Sequence, residues 1–347
     1  SLACLNRLDY YVPTQWATLT PDNAPHFSAI AYHFGAMLAD SLDVPIGIIC
    51  NAVGGAPIES FIDRHTLEYH PELVDILTDW RNNDRIQDWV RGRGSYNIQL
   101  SKKPLQRHPY EPCYLYEAGI APLAGYPIRG VIWYQGESNA HNVELFATEF
   151  PALVNSWRRA WDNEEMPFHF VQLSSINRPS WPHFRDVQRQ LAEEIDHCEM
   201  AVSSDKGDRW NVHPTDKKPV GERLARQALH NTYGMKHVTP AGPTIEKVER
   251  KGNSLILTFS NANGLPTGLI WVIGLMLICM YLMYKNKIGR YILAIGSNEE
   301  AARLSGINTD KYKIIAYVIC GVFASLAALF YVAANPSLNL AAGNGME

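Results

Sequence analysis

The sequence predicts an α/β domain over residues 1–238, a small β appendage over 239–267 and two transmembrane α-helices within 268–347. Two observations support this prediction. In the first part, apolar runs of strand length alternate with segments of helical period, as in a parallel sheet covered by helices on both faces. The last part instead contains two uncharged apolar runs, each long enough to cross a bilayer.

Four apolar runs of the first domain are predicted as buried parallel strands, because polar and apolar residues do not alternate within them. They are "VPIGIIC" (44–50), "RGVIWYQ" (129–135), "FHFVQLS" (168–174) and "EMAVSS" (199–204). The stretches between them have helical period, and Pro151 is expected to kink or split the helix "ELFATEFPALVNSWRRAW". After Thr239, turn residues surround alternating strands, which predicts the β appendage.

Charge and cysteine content exclude several classes of protein. The chain has 31 Lys and Arg against 35 Asp and Glu, so it lacks the strongly basic character of a nucleic-acid-binding protein. Its six cysteines are irregularly spaced, with no Cys-x-x-Cys pair and no zinc-site spacing. The cysteines therefore indicate no zinc site, and the charge indicates no nucleic-acid partner. We also predict no metal and no cofactor.

The C-terminal part is predicted to lie in a lipid bilayer, with spans at about 266–284 and 314–334. The first would cover roughly 28 Å at 1.5 Å per residue, which matches one hydrocarbon core. The connecting loop, 285–313, has six basic residues against three acidic ones and should face the cytoplasm. Residues 1–265 would then lie outside the cytoplasm, in the periplasm or extracellular space. Helices buried in a soluble core are the alternative.

The connecting loop contains the stretch "GRYILAIGSNEEAARLSGI". It resembles the cytoplasmic loop of ABC-transporter permeases of the ribose/sugar type, in which a Glu-Ala-Ala-x-x-x-Gly pattern forms a coupling helix. The matching residues here are Glu300, Ala301, Ala302 and Gly306. The resemblance implies an ABC ATPase subunit as a partner at this loop. An ordinary solvated loop helix is the alternative, and no Walker motif marks this chain as the ATPase itself.

Three stretches of the first domain contain residues suited to catalysis. "NAVGGAPIESFI" (51–62) follows a predicted strand with a Gly-Gly turn, whose backbone N–H groups could approach a ligand closely. "WYQGESNA" (133–140) places polar side chains at the C-terminal end of the next strand, where sites of parallel sheets lie. "SSDKGDRWNVHPTDKKPVGERLA" (203–225) has one His beside carboxylates.

Together these stretches resemble the sialate O-acetylesterase family of SGNH hydrolases. "FSAIAYHFG", "PIGIICNAVGGAPIESF", "VIWYQGESNA", "FRDVQRQLA" and "HPTDKKPVGERLA" occur in that family's order and approximate spacing. The resemblance implies a three-layer flavodoxin-like fold that removes acetyl groups from sugars such as sialic acid. It also implies a serine hydrolase mechanism that needs no metal.

The resemblance assigns roles to individual residues. His213 would be the general base, and Gly55 would stabilise the oxyanion through its backbone N–H. Gln135 would be the side-chain oxyanion donor, with Asn139 as a second candidate. Members of the wider superfamily place an Asp three residues before the His, but position 210 is Trp here. Asp208 is then the expected acid because it is the nearest upstream carboxylate, with Asp205 behind it.

The family's nucleophile lies in a Gly-Gln-Ser-Asn block, and no such string occurs here. The chain opens at a point similar to sequence downstream of that block, so we expect it to lack both the nucleophile and a central strand. An alternative nucleophile is Ser138 of "GESNA", which is close to the elbow of α/β-hydrolases. Asp208 and His213 lie five residues apart on one loop, whereas the α/β-hydrolase acid and base come from separate strand ends.

The change of composition near Thr267 indicates that two unrelated families meet in one chain without a linker. We expect a junction of two gene fragments. A membrane-tethered esterase is one alternative, and a permease subunit of a sugar ABC transporter is another. The expected partners are an acetylated sugar, the lipid bilayer and the ABC ATPase.

Overall fold

The computed structural model describes residues 8, 10–102, 105–252, 254–260, 280, 281 and 283–334. The chain divides into two compact units, Ser1–Ala262 and Asn263–Glu347. Within the described ranges, all strands belong to the first unit, and the second unit contains helices.

A parallel sheet lies at the centre of the first unit. Its strands are β1 (Val131–Trp133), β2 (Phe168–Val171) and β3 (Cys198–Ala201), in the order β1-β2-β3. Both pairings are parallel, with Phe168 opposite Val131 on one side and Cys198 on the other. Every residue of the middle strand β2 is buried. The predicted parallel α/β sheet is therefore confirmed for these three strands.

Helices surround this sheet. The α-helices described in the first unit are α1 (Ala29–Leu42), α2 (Arg64–Tyr69), α3 (Asp88–Leu100), α4 (Val143–Ala160), α5 (Trp181–Glu194) and α6 (Lys218–Gln227). Short 3₁₀ segments occur at Ala24–His26, Ile58–Phe61, Val74–Leu77, Ala121–Leu123 and Ser204–Lys206, and π-helical turns at Tyr116–Ile120 and Ala228–Thr232.

Local side chains define where the main helices begin. The Ser28 hydroxyl accepts a hydrogen bond from the Ala31 N–H at the start of α1, and Asn142 does the same for Leu145 at the start of α4. The expected split at Pro151 is wrong, since α4 continues through this residue. Buried apolar side chains on either side of the proline hold the helix on the sheet, with Phe150 packed 4.8 Å from the ring centre of Phe170.

The prediction of a strand at residues 44–50 is wrong. The segment forms no strand, and its backbone makes no hydrogen bond to the backbone of another described residue. A cavity of about 650 Å³ is lined both by residues 46–53 and by 131–135, which include β1. A strand needs a neighbour that pairs with its backbone, and residues 44–50 make no such pairing with β1.

The described part of the predicted appendage is an antiparallel hairpin of β4 (Thr244–Lys251) and β5 (Ser254–Ser260). Its pairing shifts by one residue between Ile245 and Lys247. All residues of β4 are exposed, as are those of β5 except the partly exposed Ser260. The hairpin therefore adds little to the core of the first unit.

The second unit contains α7 (Lys287–Ser297), α8 (Glu299–Leu304) and α9 (Thr309–Ala334). Among the residues that the structure describes, no helix is both long and apolar enough to cross a membrane. Most of the predicted first span, 266–284, lies outside the described residues. The predicted second span, 314–334, falls within α9.

The coupling-loop residues lie on and just after α8. Asn298 caps this helix by accepting a hydrogen bond from the Ala301 N–H at 3.0 Å. Gly306 ends it with φ +81°, a left-handed conformation that favours glycine. Ala302 is buried, whereas Glu300 and Ala301 are exposed. The motif thus forms a capped helix with an open face.

Candidate active site

The Gly-Gly turn is held in place through its carbonyl groups. The Tyr110 hydroxyl donates to the Gly54 carbonyl at 2.8 Å, and the Ser138 hydroxyl donates to the Gly55 carbonyl at 2.9 Å. Gly55 has φ +76°, and a Cβ there would lie 2.5 Å from Trp89. Within the described structure, the Gly55 N–H has no hydrogen-bond acceptor. It is therefore free to donate to a ligand oxygen, as an oxyanion donor must.

The loop after β1 contacts this turn through its amide side chains. Gln135 Nε2 donates to Asn139 Oδ1 at 2.6 Å and to the Ala56 carbonyl at 3.3 Å. Asn139 is buried, and its own Nδ2 donates to the carboxylates of Glu59 and Glu149. Both predicted side-chain donors thus use their amide hydrogens on protein acceptors in this structure.

In the loop that contains the predicted base, the side chains do not form the expected acid–base pair. His213 is exposed, and its backbone N–H donates to Asn211 Oδ1 at 2.9 Å. The Asp208 carboxylate accepts from the backbone N–H groups of Trp210 and Asn211, at 2.7 and 2.9 Å. Asp205 pairs instead with the guanidinium of Arg223 at 2.6 Å. In the described structure, neither carboxylate is hydrogen-bonded to the imidazole of His213.

Glu137 is a functional candidate that the sequence identified only as one of several polar groups after β1. Burial raises the pKa of its carboxyl, and nearby positive charges offset part of this rise. These charges belong to His213, Lys217 and Arg178. Burial also lowers the pKa of Lys217, whose ammonium lies 5.5 Å from the centre of the Tyr134 ring. Glu137 therefore lies within the electrostatic reach of the predicted base.

Ser138 does not have the surroundings of a nucleophile. Only 3% of its surface is exposed, and its hydroxyl is already bound to the Gly55 carbonyl. A nucleophilic serine needs a base within hydrogen-bond reach, and the described contacts of Ser138 include none. The geometry instead gives Ser138 a part in holding the Gly-Gly turn. Within the described ranges, His, Cys, Asp and Glu side chains also form no group of three that could hold a metal ion.

The parallel sheet β1-β2-β3 with helices around it makes the first unit an α/β domain. A comparison with protein families shows to which family this domain belongs. Residues 26–230 match the family model described as carbohydrate esterase, sialic acid-specific acetylesterase. The chain belongs to this family, and the resemblance seen in the sequence is confirmed.

Relatives in this family have similar sequences and folds. Human sialate O-acetylesterase is 31% identical over 267 residues, covering 69% of this chain and 46% of the human protein. The rat enzyme is 30% identical over 287 residues, covering 72% and 52%. A carbohydrate acetylesterase from Xanthomonas citri aligns in structure with a TM-score of 0.57 at 28% identity, covering 73% and 51%. The chain spans about half the length of these relatives.

The C-terminal part matches a different family. Residues 225–346 match the model described as branched-chain amino acid transport system / permease component. The ribose import permease protein of Escherichia coli K12 is 47% identical over 85 residues, which cover 24% of this chain and 26% of the permease. The Haemophilus influenzae ribose import permease protein is 35% identical over the same length. The permease resemblance is therefore confirmed for this part of the chain.

Proposed function

We propose that the first unit is a carbohydrate esterase domain that removes O-acetyl groups from sugars such as sialic acid. The observation that supports this best is the Gly-Gly turn. Hydroxyl groups of Tyr110 and Ser138 hold its carbonyls, and the N–H of Gly55 stays free to donate. This donor would stabilise the negative oxygen that develops when an acetyl ester is attacked.

The proposed reaction follows the order of a serine hydrolase. A serine hydroxyl attacks the acetyl carbonyl, and His213 takes the proton and passes it to the leaving sugar oxygen. Water then attacks the acetyl-enzyme and releases acetate. Gln135 could become a second oxyanion donor by releasing one of its two hydrogen bonds, to Asn139 or to Ala56. Asp208 remains the proposed acid from the sequence, and Glu137 is a second candidate because it follows β1 as a largely buried carboxyl within electrostatic reach of His213.

The experiment has to supply the nucleophile, because the 347 residues contain no Gly-Gln-Ser-Asn string. We compare the chain as given with an extended chain, defined here as the same 347 residues preceded by a segment that supplies this string. The extended chain should release acetate from an O-acetylated sialic acid. The chain as given should be slower by about 10³-fold or more, as for other hydrolases without their nucleophile. Equal inactivity of both would contradict the proposal.

For the second unit we propose membrane association as a part of a sugar ABC-transporter permease, with an ABC ATPase as partner at residues 285–313. The match to the ribose permeases supports this. The finer proposal is two spans, at about 266–284 and 314–334, with the basic loop in the cytoplasm and residues 1–265 outside. A permease subunit alone is the alternative function for the whole chain, but the family match of residues 26–230 favours the esterase.

This topology predicts that Gly296→Cys is inaccessible from outside the cell. The variant is made in a chain whose own six cysteines are replaced by serine. An impermeant thiol reagent should label position 296 only after the membrane is opened. The matched control is Lys247→Cys on the exposed hairpin, which should be labelled in intact cells. Labelling of position 296 in intact cells would rule this topology out.

A further inference from the structure

Two buried carboxyl groups meet on one amide beneath the proposed site. Asn139 Nδ2 donates one hydrogen to Glu59 Oε2 at 2.9 Å and the other to Glu149 Oε2 at 3.1 Å. Its Oδ1 accepts from the Ile58 N–H at 3.0 Å and from Gln135 Nε2 at 2.6 Å. All four hydrogen-bonding positions of this amide are thus used.

Burial makes two negative charges at this place costly. Glu59 and Glu149 are each 1% exposed. The Asn139 amide is neutral, and Glu149 Oε1 has no hydrogen-bond partner among the described residues. Two like charges on either side of a single neutral amide, away from water, cannot both be stabilised by it.

The pKa shifts of the two carboxyl groups are consistent with this cost. Burial raises the pKa of Glu59 to about 7, against which the hydrogen bond from Asn139 acts. Burial and then the charge of Glu59 raise the pKa of Glu149 well above its usual range. Arg85 is the other charged group that acts on Glu149, and its guanidinium donates to the Glu72 carbonyl at 2.6 Å and lies 3.7 Å from Asp75. Within the described structure, Arg85 makes no hydrogen bond or ion pair to either Glu59 or Glu149.

We propose that Glu59 and Glu149 share a single proton between them, in the sense that one carboxyl is protonated while the other is ionised and accepts from the Asn139 amide, and that this singly charged pair positions the loop after β1 against the Gly-Gly turn. The two carboxyl groups come from separate elements, since Glu59 lies in the 3₁₀ segment after the turn and Glu149 on α4. Asn139 joins both to Gln135, and the neighbouring Ser138 holds the Gly55 carbonyl. The pair thus fixes the candidate oxyanion donors without touching the substrate.

The shared proton is tested through the pH dependence of unfolding in the full 347-residue chain. A carboxyl whose pKa is raised by folding stabilises the protein fully below its unfolded pKa, and this stability is lost as the pH rises through the folded value. The unfolding temperature should therefore fall as the pH rises from about 4.5, the ordinary pKa of a glutamate, through about 7 and above, and by roughly 5 °C more than in Glu149→Gln, which carries a permanently neutral isostere. Glu144→Gln, an exposed position on the same helix, should follow the unsubstituted chain.

Positioning is tested by the contrast between an isostere and a truncation. Glu149→Gln should keep the unfolding temperature at pH 6 within about 2 °C, because its carbonyl still accepts from Asn139. Glu149→Ala should lower it by about 5 °C or more at every pH. In the extended chain, where the inference rests on the proposed function, Glu149→Ala should lower kcat by about 10-fold or more with KM nearly unchanged, and Glu149→Gln should restore kcat.

If the unfolding temperature depends on pH in the same way in the unsubstituted chain and in Glu149→Gln, the proposal of a shared proton is contradicted. If Glu149→Ala fails to fold, infrared spectroscopy still tests the proton: the unsubstituted chain at about pH 6 must show a protonated carboxyl band that Glu59→Gln or Glu149→Gln reduces. Absence of that band contradicts the proposal. An extended chain without esterase activity would contradict the proposed function, while the unfolding and infrared results would still decide whether the proton is shared.

Discussion

In the extended chain, His213→Ala should lower kcat/KM for acetate release from an O-acetylated sugar by about 10⁴-fold or more. Without this imidazole, no group takes the proton of the nucleophilic hydroxyl, and only oxyanion stabilisation and substrate binding remain. His237→Ala is the matched control, because His237 is another exposed histidine of the first unit. Near-full activity of His213→Ala would remove the loop at 203–225 from the proposed mechanism.

Substitution of the carboxylates near this loop should lower kcat/KM less than substitution of His213 does. Asp208→Asn should cost less than His213→Ala, since Asp208 orders the loop through the N–H groups of Trp210 and Asn211. Asp205→Asn should cost little, since its partner is Arg223. The same kcat/KM measurement with Glu137→Gln decides between the two candidate acids. A larger loss for Glu137→Gln than for Asp208→Asn would transfer the role of the acid to Glu137.

Gly55→Ala should both destabilise the first unit and displace the backbone N–H that is the proposed oxyanion donor. The backbone at φ +76° costs an alanine about 1–2 kcal/mol. The new Cβ would also lie 2.5 Å from Trp89 and 2.6 Å from the Tyr110 hydroxyl, which adds about 1–3 kcal/mol of overpacking. We expect a loss of about 2–5 kcal/mol in the free energy of unfolding and of about 10²–10³-fold in kcat of the extended chain.

The neighbouring glycine offers a matched control for this prediction. A Cβ on Gly54 would meet no atom within 4 Å, and its φ is not positive. Gly54→Ala should therefore leave the free energy of unfolding within about 1 kcal/mol of the unsubstituted chain. Denaturant unfolding of both variants gives the comparison. Equal effects at the two positions would show that the conformation of Gly55 is not what the turn requires.

The main elements of the first unit could be predicted because their patterns are local. Apolar runs at 129–135, 168–174 and 199–204 predicted the strands that form β1, β2 and β3. The run at 44–50 has the same pattern but forms no strand, since a strand also depends on a neighbour that pairs with it. The apolar pattern of a run reflects its burial and its strand propensity. It does not show whether a neighbouring strand is available to pair with it.

In the site, too, the local features could be predicted from the sequence and the long-range contacts could not. The Gly-Gly pair predicted a turn with an available N–H, and the structure has Gly55 in a left-handed conformation. The contacts between Asn139, Glu59 and Glu149 join residues up to 80 positions apart, so no local pattern could predict them. Sequence proximity favoured Asp208 as the acid, but its carboxylate binds the backbone of its own loop. A short polar loop offers a carboxylate many nearby N–H groups.

The most direct test of the esterase proposal is covalent labelling by a fluorophosphonate, a reagent that bonds to activated serine hydroxyls. Peptide mass spectrometry locates the label in the chain as given and in the extended chain. The label should be absent from the first and should lie on the serine of Gly-Gln-Ser-Asn in the second, and His213→Ala should prevent it. A label on Ser138 in the chain as given, lost in Ser138→Ala, would contradict this mechanism and establish the alternative nucleophile.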